Sequence, residues 1–166
     1  MKIINWMGGL LVLTLSLHGQ ARDSARLTID FEIPVIDAAP YHKPYVAIWL
    51  ETLDRRPVHA FAFWAEQADW YKDLRQWWRK VGRKQARNYD AVSGATRKPG
   101  QYQIRWELSE LTANLAAGDY VLHFEAVREQ GSREYIKHKI RFDELDPQVY
   151  ELEGKEEIGR IRIEIK

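Results

Sequence analysis

Polar and apolar residues alternate with period two through Arg26-Leu27-Thr28-Ile29-Asp30-Phe31-Glu32-Ile33, which predicts a half-buried strand stopped by Pro34. Tyr45-Val46-Ala47-Ile48-Trp49-Leu50 is apolar at every position and suits a central strand covered on both faces. Asp54-Arg55-Arg56-Pro57 turns the chain into Val58 to Trp64, the expected second arm of a hairpin. From Ala68 the period changes. Trp70, Leu74, Trp77, Trp78 and Val81 recur at helical spacing while Lys72, Arg75, Arg79 and Lys80 fall elsewhere, so an amphipathic helix ending near Gly82 is expected.

Alternation returns after Pro99-Gly100, where Tyr102, Ile104 and Trp106 face one way. Gly118-Asp119-Tyr120 repeats the Gly-x-Tyr opening of Gly100-Gln101-Tyr102, and the two segments are expected to be neighbouring arms of one sheet, joined by a polar connection from Ser109 to Ala117. Tyr120 to Arg128 and Glu134 to Phe142 form a hairpin. Pairing Tyr120 with Phe142, Leu122 with Ile140 and Phe124 with His138 collects the apolar groups on one face and leaves a three-residue loop, Gln130-Gly131-Ser132. Tyr150 and Leu152 suit a short edge strand, and Gly159 to Ile165 alternates cleanly as the last strand. Seven or eight short strands with one helix inserted midway predict a mainly β fold, an immunoglobulin-like antiparallel β-sandwich with one inserted amphipathic helix.

The first 21 residues differ from the rest. Lys2 precedes an apolar stretch through Leu10-Leu11-Val12-Leu13 to Leu17, and small residues Gly19 and Ala21 stand before Arg22. This is the pattern of a secretory signal peptide, which makes residues 22–166 one exported domain in the periplasm. An uncleaved membrane anchor is the alternative, although Ile3 to Leu17 is short for a span. The chain has no Cys, which removes disulfides, thiol catalysis and Cys-ligated metals.

The whole chain carries a formal net charge of +1, so global charge gives no argument for nucleic acid. Locally the balance is different. Between Lys72 and Arg105 ten cations stand against Asp73 and Asp90, a net +8, while Asp143 to Glu157 carries a net −6. The basic run suits a phosphate group, another enzyme or an acidic partner protein, or equally a solvated face paired with the acidic segment. His42, His59, His123 and His138 show no metal-ligand spacing, and no Ser has the context of a hydrolase nucleophile, so neither a metal site nor a catalytic triad is expected.

Within the basic run lies Asp90-Ala91-Val92-Ser93-Gly94-Ala95-Thr96, of the form Asp-x-x-Ser/Thr-Gly-Ala-Ser/Thr. These residue types also suit an ordinary polar turn, but five specified positions in order arise by chance in a chain this long on the order of once in a thousand. The stretch resembles the acceptor motif of proteins modified by bacterial FAD:protein FMN transferases, which leave FMN on the final Thr or Ser as a phosphoester. That resemblance implies that Thr96 supplies the hydroxyl nucleophile, with Asp90, Ser93, Gly94 and Ala95 read by the transferase. Gly94 and Ala95 keep bulk away, Gly94 permits unusual dihedrals, and Asp90 and Ser93 can tie the loop to its own backbone. A similar motif occurs in FMN-bearing subunits of sodium-pumping NADH:quinone reductases.

Tyr45-Val-Ala-Ile-Trp49, Asp73-Leu-Arg-Gln-Trp77-Trp78-Arg79, Pro99-Gly100-x-Tyr102 and Gly118-Asp-Tyr-x-Leu122 together resemble the family of predicted periplasmic proteins called domain of unknown function 2271. The family name assigns no activity. The motif therefore carries the functional expectation: a periplasmic electron-transfer protein holding covalent FMN on Thr96, served by a membrane flavoreductase or quinone-linked partner, with Trp70 and Trp77 as flavin contacts. The competing expectation is a non-enzymatic periplasmic binding or accessory module without cofactor.

Overall fold

The computed structural model describes residues 25–83, 92–113, 115–142 and 147–166; the leader lies outside them, as do Asp90 and Ala91 of the motif. Among the described residues nine strands form two sheets: β1 (Arg26–Ile33), β2 (Tyr45–Thr52), β3 (Pro57–Trp64), β4 (Ser93–Gly94), β5 (Gly100–Glu107), β6 (Gly118–Val127), β7 (Arg133–Phe142), β8 (Gln148–Glu153) and β9 (Arg160–Ile165). One sheet has the order β5-β1-β9-β8 and the other β4-β3-β2-β6-β7. The inner positions of both, among them Ile29, Phe31, Ile48, Leu122, Phe124 and Ile163, make the core between the sheets. The expected sandwich is therefore present. The order β3-β2-β6-β7 facing β5-β1 is that of the corresponding strands of an immunoglobulin sandwich. The C-terminal β9 lies beside β1, where an immunoglobulin domain places its first strand.

The all-apolar run of β2 has its reason in a third layer. Val46, Ile48 and Leu50 point into the inter-sheet core, whereas Ala47 and Trp49 point outward and are covered by Leu74, Trp77 and Val81 of a helical segment. That segment is not the single helix its periodicity predicts. It runs as a 3₁₀ helix (Ala68–Asp73), then α1 (Arg75–Trp77), then a π-helical turn (Trp78–Gly82), with Leu74 in a non-helical conformation at the first break. The cause is the Glu125 carboxylate, wholly buried on the outward face of β6, which accepts the Gln76 N–H at 3.0 Å and the Trp77 N–H at 2.8 Å. A helix continuous from Ala68 would use those N–H groups internally. The break turns Trp70 out to solvent, where it is 38% exposed, while Trp77 stays buried.

Two further expectations are corrected. The Gly-x-Tyr segments open strands in different sheets, β5 and β6, because Leu108 and Leu111 of a short helix, α2 (Leu108–Thr112), and Leu115 enter the core and carry the chain across it. What they share is local: Gly100 and Gly118 have φ of 153° and 149°, and each tyrosine hydroxyl donates to the carbonyl four residues earlier, Tyr102 to Lys98 at 2.6 Å and Tyr120 to Ala116 at 2.7 Å. This matches the corner that a tyrosine makes at the start of a sandwich strand.

The β6–β7 hairpin is shifted by two residues from the expected pairing, with Tyr120 opposite Ile140 and Phe124 opposite Ile136. A two-residue shift leaves every side chain on its expected face, so the hydrophobic pattern alone does not choose between the registers. The loop chooses. Buried Glu157 accepts from Arg128 Nε and from the Ser132 N–H and hydroxyl, which fixes the three-residue loop one position earlier than expected, at Glu129-Gln130-Gly131, closed by the Arg128 N–H to the Ser132 carbonyl at 3.1 Å.

Removing the Glu125 carboxylate strands the helical N–H groups and the Arg133 guanidinium that meets it at 2.7 Å. Glu125→Ala is expected to lower stability by about 3 kcal/mol or more in urea unfolding, the range for breaking a buried ion pair. It also deprotects the Gln76 and Trp77 amides in hydrogen exchange.

Candidate functional site

The described part of the motif, Val92 to Thr96, is attached to the sheet by its backbone. Ser93 and Gly94 form β4, which pairs parallel to the end of β3 with Ser93 opposite Phe63 and Gly94 opposite Trp64. The Phe63 N–H donates to the Val92 carbonyl at 3.0 Å and the Ala65 N–H to the Gly94 carbonyl at 2.9 Å. Ser93, Gly94 and Ala95 are exposed along this edge. Thr96 turns inward and is only 7% exposed. Its hydroxyl donates to Glu66 Oε1 at 2.5 Å, and the same oxygen accepts from Lys43 Nζ at 3.1 Å. Those two donors, Thr96 first, hold the Glu66 carboxyl below its ordinary pKa.

Arg97 fixes the next turn. Its guanidinium lies 4.2 Å from the Trp64 ring centroid and 5.0 Å from that of Tyr102, and the two rings meet edge-on at 5.3 Å. Cation–π contacts of this kind contribute about 0.5–2 kcal/mol each. Thr96 thus bonds a carboxylate, while the next residue, Arg97, sits in an aromatic clamp.

Gly94 does not use the conformational freedom expected of it. Its backbone is extended, and positive φ among the described glycines is confined to Gly100 and Gly118. A Cβ there would meet only Trp64 Cδ1 at 3.8 Å, an ordinary van der Waals contact. Nothing within the described fold demands glycine at this position.

Of the tryptophans expected near a flavin, Trp77 is buried with its ring stacked on Phe63 at 4.0 Å, and Trp70 is exposed and donates through Nε1 to Gln67. Among the described residues, Trp64 is the tryptophan that meets the motif segment, opposite Gly94 and beneath Arg97. Glu66 and Lys43 were not legible as site residues, because they lie 30 and 53 positions before Thr96 in the chain; only the fold of β3 and the loop preceding β2 brings them together.

A second concentration of chemistry sits on the outer face of the five-stranded sheet, toward the opposite end of β2. Glu51, on β2, accepts from Trp49 Nε1 at 2.9 Å and lies 3.7 Å from Lys80 Nζ. His123, on β6, stacks on Trp49 with centroids 4.7 Å apart, shares a 2.6 Å hydrogen bond between Nδ1 and the Tyr135 hydroxyl, and places Nε2 3.5 Å from Glu51 Oε2. Burial pushes the His123 pKa down to about 4, against the opposing pull of Glu51, with Lys137 and Lys80 adding to the fall. Burial also raises Tyr135 to about 12, helped by Glu51 and Glu125. Sequence held a signal for this group: Glu51 ends an apolar strand, and His123 and Glu125 alternate with Leu122, Phe124 and Ala126, on the face opposite the one that collects the apolar groups.

Fold and edge geometry together define a two-sheet immunoglobulin-like sandwich with Ser93 and Gly94 in the edge strand of its five-stranded sheet. The chain belongs to the family described as predicted periplasmic protein (DUF2271), whose model matches residues 26–160. That membership agrees with the periplasmic location expected from the leader, and no helix among the described residues is long and apolar enough to cross a membrane. No match to a curated protein or to a solved structure was found.

Because folding favours neutral His123, its contribution to stability is full above its ordinary pKa of 6.5 and is lost as pH falls from there toward about 4. The loss is of the order of 3 kcal/mol, from about 1.4 kcal/mol per pKa unit. Urea unfolding is expected to show a shallower decline over this window in His123→Gln than in the unsubstituted protein. His59 and His138, whose pKa values burial also lowers, titrate in both proteins, so the difference reports His123.

Proposed function

We propose that this protein is a periplasmic electron carrier whose redox group is FMN esterified to Thr96. The Thr96 oxygen attacks the FMN-side phosphorus of FAD within a transferase. The new bond joins Oγ1 to phosphorus, the bond between the two phosphoryl groups breaks, AMP leaves with its electron pair, and the hydroxyl proton passes to a base of the transferase. Electron transfer is then the flavin's chemistry, while the protein supplies position and local field.

The observation that carries this reading is Gly94. It stands in an exposed edge strand with extended backbone and room for a Cβ, so its lack of a side chain serves an approach from outside rather than the packing of its own domain. The charges nearby fit a phosphoester as well. Lys43 and Arg97 flank Thr96 and can pair with a phosphodiester anion once the Glu66 carboxylate, which would repel it, swings away. Thr96 is buried and hydrogen-bonded in the unmodified chain, so labelling requires the segment from Ala95 to Arg97 to peel from Glu66 and Trp64. Asp90 belongs to the same recognition element through the motif, as do Ser93 and Ala95.

Coexpression with an FMN transferase, exported to the same compartment, tests the proposal by intact mass and in-gel flavin fluorescence. The unsubstituted chain is expected to gain one FMN, Thr96→Val none, and Thr96→Ser some, since the hydroxyl is kept. Gly94→Val separates modification from folding: its unfolding free energy is expected to stay within about 0.5 kcal/mol of the parent, while labelling falls at least tenfold. An unlabelled parent, or label that persists in Thr96→Val, overturns the reading and leaves a binding module.

A further inference from the structure

The outer-face group around His123 forms the floor of a cleft of about 440 Å³ between the helical segment and strands β2, β6 and β7. That volume lies within the range of ~300–1,000 Å³ usual for small-molecule sites. Its rim carries Arg55, Arg79, Lys80 and Lys137, four cations from three separate parts of the chain, while its floor holds Glu51, His123 and Tyr135. Arg55, Arg79 and Lys137 are exposed, and Lys80 is the one engaged with Glu51.

His123 Nε2 is buried in this floor with no hydrogen-bond partner. The Glu51 carboxylate beside it disfavours a lone pair at that nitrogen, so the proton sits on Nε2 and the Tyr135 hydroxyl donates to Nδ1. At 3.5 Å from Glu51 the Nε2–H makes no hydrogen bond there, and a buried donor left unmade is destabilising. Trp49 and Lys80 already engage Glu51. A buried donor without a partner, at the base of a cation-rimmed cavity, marks a place where an acceptor from outside completes the set.

We propose that this cleft binds a small organic dianion, a dicarboxylate or a phosphate monoester, with one oxyanion group held by Arg55, Arg79 and Lys137 at the rim and an acceptor oxygen taking the His123 Nε2–H at the floor. Two guanidinium groups suit planar carboxylates and phosphates through paired N–H donors. Tyr135 orients the imidazole by fixing its tautomer. The cleft and Thr96 lie toward opposite ends of β2, so the ligand site stands independently of the acceptor reading.

Calorimetric titration with succinate, glycerol phosphate and inorganic phosphate, at low ionic strength near neutral pH, tests the proposal on the mature chain and on Thr96→Val in parallel. At least one organic dianion is expected to bind with a Kd below about 1 mM, identically in both proteins, which separates this site from flavin attachment. Succinate alone or glycerol phosphate alone identifies the anion class. The rim variant Arg79→Gln/Lys137→Gln is expected to weaken binding at least tenfold, while Arg162→Gln on the other sheet leaves it unchanged. The His123 ring resonances are expected to shift saturably with ligand. Absence of saturable binding by either organic dianion, binding of inorganic phosphate alone, or binding unaffected by the rim substitutions overturns the proposal.

Discussion

A single buried carboxylate sets the outer architecture of this protein. Glu125 sits on the outward face of β6, closed to solvent, and receives the Gln76 and Trp77 N–H groups together with the Arg133 guanidinium. A buried carboxylate without such partners carries a large desolvation penalty, so the sheet face and the helical segment are tied to one another in one register. Leu74, Trp77 and Val81 then close over Ala47, Trp49 and Phe63. The same docking places Gln76, Arg79 and Lys80 along one wall of the cleft above His123.

Other glutamates act in the same way. Glu134 receives four successive N–H groups from Lys155 to Ile158 at 2.7–3.0 Å, and buried Glu157 takes Arg128 and both donors of Ser132. These carboxylates take the role that helix caps and disulfides fill elsewhere: they satisfy backbone donors in connections that lack regular partners. In a chain without Cys, exported to a compartment where disulfides would form, this is how the C-terminal connection is held against the hairpin.

The two chemical regions depend differently on that frame. Around Thr96, sequence marks the motif and structure adds its surroundings, since the parallel pairing of β4 with β3 brings in Glu66, Lys43 and the Trp64–Arg97–Tyr102 clamp. Around His123 the reverse holds. No motif marks that group, and its residues come from β2, β6, β7 and the helical segment; only packing shows that a histidine, a glutamate and a tyrosine share one buried environment.

By itself the sequence determined the alternating strands, the two-faced burial of β2, the change to helical period near Ala68 and the edge strand at Tyr150, because side-chain periodicity is a short-range property. It did not determine which strands share a sheet, the register of the β6–β7 hairpin, or the break in the helix. Those were decided by distant groups: leucines of α2 that carry the chain across the core, Glu157 at the hairpin loop, and Glu125, which lies 48 residues beyond the Trp77 N–H it accepts. Hydrophobic pattern assigns a residue to a face, but buried polar groups must find particular partners, and those partners exist only once the chain has folded.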